Sequence, residues 1–417
     1  MADRQVEVLV QIAGEDVPAG RLWSHRRKRI ESETFSYSSE YLARGDAYAL
    51  DPLLSLVSGQ QQTPVGRDIF GAFSDCAPDR WGKMLINRRN RKRGENDEAG
   101  EASPGEIDYL LGVRDDLRQG ALRFRDPESG EFLAGEQDGV PRLVDLPRLL
   151  NFADRAERDV AGQEELEILL KGGSSLGGAR PKAHVIDQRG KIAIAKFPRI
   201  SADEWDVIGW EHVALSLAKE AGIAVADSGL HKIDGKSVLV LDRFDRQGEL
   251  RIGYVSAMTM LEASDGEERS YLDIVEVIEE ESDRATRDLH ELWRRIAFSI
   301  LVSNTDDHLR NHGFLRATSG GWSLSPAFDL NPNPEPGRKL LNTSIDGSSN
   351  DASLALLLDV AELFRLGDEE ARVIAGEVSD ATGRWRDVAS QAGLDRGSIG
   401  AMEPAFEHES AELARSW

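Results

Sequence analysis

The spacing of apolar residues changes character once along this chain, near residue 256, and that change limits the folds open to it. Ahead of it the pattern is that of strands. Val6, Val8, Val10 and Ile12 alternate with polar or small neighbours, the two-residue period of a half-buried strand. AHVID (183–187) and KIAIAKFP (191–198) flank a polar turn and predict strand, turn, strand, and residues 237–241 predict a short β-branched strand. Behind residue 256 the period is helical almost throughout. Leu289, Leu292, Ile296 and Ile300 recur at helical spacing, and two or three more helices are expected after the glycine- and proline-rich interval 331–350. The 417 residues exceed one ordinary core. The expected class is therefore α+β, a β-rich front lobe and a helical back lobe, with a cleft between unlike lobes.

Other segments are read more coarsely. Residues 67–92 and 144–170 look helical, and 208–223 (IGWEHVALSLAKEAGI) predicts a helix closed by Gly222 at C′. Residues 94–106 and 126–139 are charged, glycine-containing loops. The formal charge of −23 should repel nucleic acid unless a local patch overrides it. The one basic run, Arg88-Arg89-Asn90-Arg91-Lys92-Arg93, reads either as a solvated helix end or as a docking patch for an acidic partner. Cys76 is the only cysteine, which excludes an intramolecular disulfide and a cysteine-rich zinc site and fits a reducing cytoplasm. No apolar stretch predicts a signal peptide or a membrane span.

Four segments could carry chemistry. In KGGSSLGGARPKAHV (171–185), four glycines and two serines precede a strand, with Arg180 and Lys182 adding positive charge. Such a loop is either a flexible turn or an anion cradle built from successive N–H groups. Lys196 closes the apolar strand IAIAK and is either an edge lysine with its head in water or a phosphate-binding lysine. In the second case Glu211, fifteen residues on in the next helix, would hold it, as in protein kinases. In SNTDDHLRNHGFL (303–315), Asp306 and Asn311 have the D-x-x-x-x-N separation of the kinase catalytic loop, whereas Asp307 is one residue out of register. Asp329 lies eighteen residues beyond Asn311, after Phe328 in LSPAFDLNP, and suits a second metal ligand, although leucine and asparagine replace the Phe-Gly that usually follows. Magnesium prefers hard oxygen ligands, which Asp329 and Asn311 provide. The competing readings are a zinc pair, His308 with His312 at i and i+4, and a polar loop without a role.

Taken together these motifs resemble the HipA family of serine/threonine kinases, the toxin half of HipA–HipB toxin–antitoxin pairs. The resemblance rests on FSDCAPDRWGKMLI (73–86), SSLGGARPKA (174–183), IAKFP, WEHVALSLAKEAGI, LDRFDR (241–246), NTDDHLRN and AFDLNP, in family order. It implies a two-lobed protein-kinase-like fold, divided as 1–125, 126–245 and 246–417. It implies ATP and Mg²⁺ as cofactors, with Asp306 as the catalytic aspartate and Asn311 and Asp329 as metal ligands. Lys196, Gly177, Gly178, Ala179, Arg180 and Lys182 would contact the ATP phosphates. Asp242, Arg243 and Phe244 would line the adenine pocket, Asp242 standing where glutamate is common. His308, Arg310 and Phe328 would complete the nucleotide site. Ser175, next to Ser174, would be autophosphorylated and shut the kinase down. A HipB-like helix-turn-helix antitoxin, DNA reached only through it, a cytoplasmic location and a protein substrate such as an aminoacyl-tRNA synthetase follow in the same way. The alternatives are a small-molecule or lipid kinase on the same scaffold and a catalytically silent corepressor.

Overall fold

The computed structural model of the chain describes residues 4–27, 30–94, 104–135, 139–173 and 178–416. The chain divides into two units. One is 1–202 together with 243–255; the other is 203–242 together with 256–417.

The first unit begins with an antiparallel sheet in the order Gln61–Gln62, β3 (Ile30–Tyr37), β2 (Glu15–Arg27), β1 (Arg4–Ile12), Leu122–Arg125. Val6, Val8 and Val10 are buried as the alternation predicts, but Leu9 is buried as well and Ile12 is only half-buried. The β1/β2 register slips at Val8/Leu9, where Leu9 faces Pro18, a residue with no N–H to give the ladder. Gly20 then lets β3 approach, since a Cβ there would lie 2.2 Å from the Ser36 carbonyl oxygen. Edge-to-face rings fill the space beneath, Phe35 against Phe73 and Phe73 against Phe124.

Two expected helices are each broken. Residues 67–92 form Gly71–Asp75 and Arg80–Gly94. Pro78 disfavours helical geometry at Ala77, and Asp79 restarts the helix by accepting from the Gly82 N–H at 2.7 Å. Residues 144–170 form Leu146–Glu157 and Gln163–Lys171, separated by Asp159 in the left-handed region and restarted at Gly162. The basic run on the Arg80–Gly94 helix is spent largely inside this unit. Arg88 and Arg91 meet Asp159 at 3.3 and 2.5 Å, and Arg93 meets Glu167 at 3.0 Å.

The hairpin Lys182–Ile186/Ile192–Lys196 forms where the sequence places it. Residues 243–255 return to this unit through a buried ionic cluster. Arg243 and Arg246 both pair with Asp245, at 2.6 and 2.8 Å, and Arg251 pairs with Asp115 at 3.0 Å.

In the second unit the helix Val207–Glu220 starts at Asp206, which accepts from the Gly209 N–H, and closes with Gly222 at φ 79° as the sequence predicts. The hairpin Ser228–Ile233/Lys236–Asp242 turns on Asp234 and Gly235, both at positive φ. The long helix Ala285–Leu301 buries Leu289, Leu292, Trp293, Ile296, Phe298 and Ile300. A second core stacks Trp385 on Phe406, ring centres 4.7 Å apart, beside Trp210. After residue 350 the described residues hold six α-helices rather than two or three, and only Asp368–Thr382 is longer than seven residues. Short helices of this kind gain little from propensity and depend on packing, so they leave a weak periodic signal.

Candidate active site

The loop after the helix Ala285–Leu301 carries the site of the second unit. Ser303, at φ 52°, turns the chain out of the helix, and Leu309–Asn311 forms a single 3₁₀ turn before the strand Gly313–Arg316. The two adjacent aspartates face different surroundings. Asp307 is buried: Tyr271 Oη donates to Oδ2 at 2.7 Å, Ser299 Oγ does so at 3.3 Å, and His312 Nε2 lies 3.1 Å from Oδ1. These partners hold its carboxyl below the usual range despite burial, which acts the other way. Asp306 is exposed, yet partial loss of hydration, and then the nearby Asp329 carboxylate, raise its pKa, while His308 and Asn342 lower it. The residue in catalytic register thus reaches solvent, and its neighbour anchors the loop.

Asn311 Nδ2 donates to the Asp306 carbonyl at 3.1 Å. That bond uses the amide nitrogen and leaves the side-chain oxygen, the atom a hard cation needs, out of it. Asp329 sits at φ 60°, a conformation that aspartate tolerates better than most residues, and Asn331 Nδ2 donates to its carbonyl at 3.1 Å. Asn304 links the two loops. Its Oδ1 accepts from the Asn331 N–H at 3.1 Å and its Nδ2 reaches Ser299 Oγ at 3.3 Å. Asn333 adds a second link through Thr305 Oγ1 at 3.0 Å. Neither Asn304 nor Asn333 was singled out from the sequence, where only the asparagine-rich runs around 304 and 331–333 hint at them. Asp306, Asn311 and Asp329 therefore sit on two loops braced against each other. The Asp329 carboxylate and the Asn311 amide oxygen are hard donors of the kind that fit a magnesium ion.

The zinc reading of His308 and His312 does not fit this geometry. His312 is turned onto Asp307 and the edge of Tyr271, and the described residues hold no group of three or more His, Cys, Asp or Glu side chains that could bind a metal. Arg310 is paired with the exposed Asp265. Phe328 is half-buried beside Asp329, and Glu211 is fully buried in the helix Val207–Glu220.

The remaining site residues, Asp242 excepted, belong to the first unit. Gly178 and Ala179 are exposed, with Gly178 at φ 109°, as a backbone anion cradle requires. Gly177, Ser174 and Ser175 lie outside the described residues. Lys196 is buried at the end of its strand, directly across the hairpin from Lys182. Two cations of the expected site are buried. Lys182 lies on Asp79, at 2.5 Å, while its carbonyl accepts from Trp81 Nε1. Arg243, in the segment expected to hold the base through backbone groups, turns its guanidinium inward. Its side chain is 1% exposed and bonds Asp245, the Leu117 and Arg118 carbonyls and His184 Nε2. In both cases a buried cation is satisfied by internal acceptors. Asp242 closes its strand in the second unit, and Phe244 packs on Tyr254 with ring centres 6.1 Å apart.

A mixed fold, β-rich at the front and helical at the back, that braces an Asp-x₄-Asn loop against a second aspartate loop has the parts of a kinase-like protein. The family model for the HipA-like C-terminal domain matches residues 174–385, just over half of the chain, and the chain belongs to that family. Among solved structures, HipA of the Shewanella oneidensis toxin–antitoxin system, determined with HipB and operator DNA, matches 98% of this chain and 96% of its own. The TM-score is 0.64 at 17% identity, so the fold is shared. The Helicobacter pylori proinflammatory kinase CtkA matches 58% of this chain and 92% of its own, with a TM-score of 0.44 at 14% identity. A putative kinase of Haemophilus influenzae is 26% identical over 191 residues, 39% of this chain, and the match spans only about half, 54%, of that relative's length. No helix among the described residues is long and apolar enough to cross a membrane.

Proposed function

We propose that this chain is an ATP- and Mg²⁺-dependent protein serine/threonine kinase and the toxin of a toxin–antitoxin pair. The observation that carries the reading is the hydrogen-bonded brace between the Asp306–Asn311 loop and the Asp329 loop, with the half-buried Asp329 near enough for its charge to raise the pKa of the exposed Asp306. Asp306 accepts the proton of the substrate hydroxyl. Asn311 and Asp329 hold the magnesium ion, which when bound neutralises charge on the phosphate oxygens. The family resemblance assigns Lys196, with Glu211 as its partner, and Gly177, Gly178, Ala179, Arg180 and Lys182 to the phosphates, and Asp242, Arg243 and Phe244 to the base. Catalysis on this reading is positioning and charge neutralisation.

Family resemblance extends the proposal to autophosphorylation at Ser175, which places a dianion where it competes with the triphosphate for the same N–H groups. It also extends to a HipB-like helix-turn-helix antitoxin, with DNA reached only through it, and to a translation-related protein substrate such as an aminoacyl-tRNA synthetase. The strongly acidic chain suits a kinase that does not bind DNA on its own. The test is mass spectrometry of purified wild type and Asp306→Asn after incubation with ATP and Mg²⁺. Phosphate on Ser175 in the wild type alone is expected. Wild type that neither binds ATP–Mg²⁺ by calorimetry nor incorporates phosphate would sink the reading in favour of a silent corepressor.

A further inference from the structure

Asn342 is tied to the carboxylate of Asp306. Its Nδ2 donates to Asp306 Oδ1 at 2.7 Å, and its backbone N–H donates to the Thr305 carbonyl at 3.1 Å. The next residue repeats the pattern one position on, Thr343 Oγ1 donating to the Asp307 carbonyl at 2.8 Å. Leu341 between Leu340 and Asn342 is buried at 2% exposure, so the segment is anchored, while Asn342 is exposed. Its own Oδ1 accepts no hydrogen bond among the described residues.

We infer that Asn342 is a positioning residue for phosphoryl transfer, orienting Asp306 toward the acceptor hydroxyl; this rests on the kinase reading above. With Oδ1 engaged by the Asn342 amide, Oδ2 is the carboxylate oxygen free to take a proton. The acceptor oxygen bonds to the γ-phosphorus, the bond from that phosphorus to the ADP oxygen breaks, and the hydroxyl proton passes to Asp306 Oδ2. Asn342 is exposed beside the base, and its Oδ1 can accept an N–H from the acceptor polypeptide. The same side chain then serves both the base and the protein acceptor, which a small-molecule kinase would not need.

The experiment compares wild type, Asn342→Ala and the similarly sized Asn342→Leu, both of which lack the donor. The readouts are the rate of ³²P transfer from ATP to the chain itself and to dephosphorylated casein, calorimetric ATP–Mg²⁺ affinity, and thermal stability. Transfer should fall about 10- to 100-fold in both variants, roughly 1.4 to 2.7 kcal/mol of barrier. ATP–Mg²⁺ affinity and melting temperature should stay at wild-type values, which separates positioning from a structural role. Transfer by either variant at the wild-type rate overturns the inference and leaves the kinase reading standing. A wild type that transfers no phosphate overturns both.

Discussion

Lys182 Nζ lies 2.5 Å from Asp79 Oδ2, with the two side chains 3% and 4% exposed. The pair joins two segments more than a hundred residues apart: the start of the helix Arg80–Gly94 and the strand that follows the glycine-rich turn. The Trp81 indole N–H adds a bond to the Lys182 carbonyl at 3.0 Å. Removing one partner strands the other charge away from water. Asp79→Ala and Lys182→Ala should each cost about 3–5 kcal/mol, and the double variant less than the sum. Urea unfolding of the four proteins measures this; additive losses would contradict a coupled pair.

Asp51 accepts from the Ala72 and Leu53 N–H groups in the first unit, and burial pushes its pKa up to about 6. A raised carboxyl pKa means that the folded chain holds the proton more tightly than the unfolded chain. Stability from this group is complete below about pH 4 and is lost as pH rises toward 6, roughly 3 kcal/mol in all. Asp51→Asn cannot ionise. Its stability relative to wild type should therefore improve by about that amount between pH 4 and 6.5, read from denaturant midpoints; a difference that does not change with pH would refute the assignment.

Cys76 is buried, and loss of hydration pushes its thiol up to about 11. The thiolate is the reactive form. Iodoacetamide at pH 8 should leave the native chain unlabelled and modify it stoichiometrically in urea, so labelling kinetics report opening of the first unit. Fast native labelling would contradict the burial.

Tyr271 donates to Asp307 at 2.7 Å in a fully buried setting. Tyr271→Phe keeps the ring and removes the bond to a carboxylate, at an expected cost of about 2 kcal/mol. Because Asp307 anchors the loop that carries Asp306, the variant should also lower phosphoryl transfer. A change in neither the urea midpoint nor transfer would remove Asp307 from the role of anchor.

Asp306→Asn should lower phosphoryl transfer by about 10²–10³ while leaving ATP–Mg²⁺ binding in place. Asp329→Asn should weaken the magnesium dependence, raising the Mg²⁺ concentration at half-maximal rate. Calorimetry and a magnesium titration of the rate separate the two. Equal loss of nucleotide binding in both variants would contradict the assigned roles.

Local pattern carried much of this protein. Alternation at Val6, Val8 and Val10 reports a strand with one wet face, and the repeat at Leu289, Leu292 and Ile296 reports a helix with one dry stripe. Both depend only on residues near in sequence. The five-residue spacing of Asp306 and Asn311 is likewise local, and it separates Asp306 from Asp307 before any partner is known. What a charged or amide side chain faces is a different matter, because its partner arrives from a distant part of the chain. Lys182 meets Asp79 from more than a hundred residues away, and Arg243 meets Leu117, Arg118 and His184, none of them announced by its neighbours in sequence. Asn342 carries no motif, yet it reaches the Asp306 carboxylate across 36 residues of chain. Periodicity encodes which face leaves water; the pairing of buried polar groups is decided only when long-range chain return brings donor to acceptor.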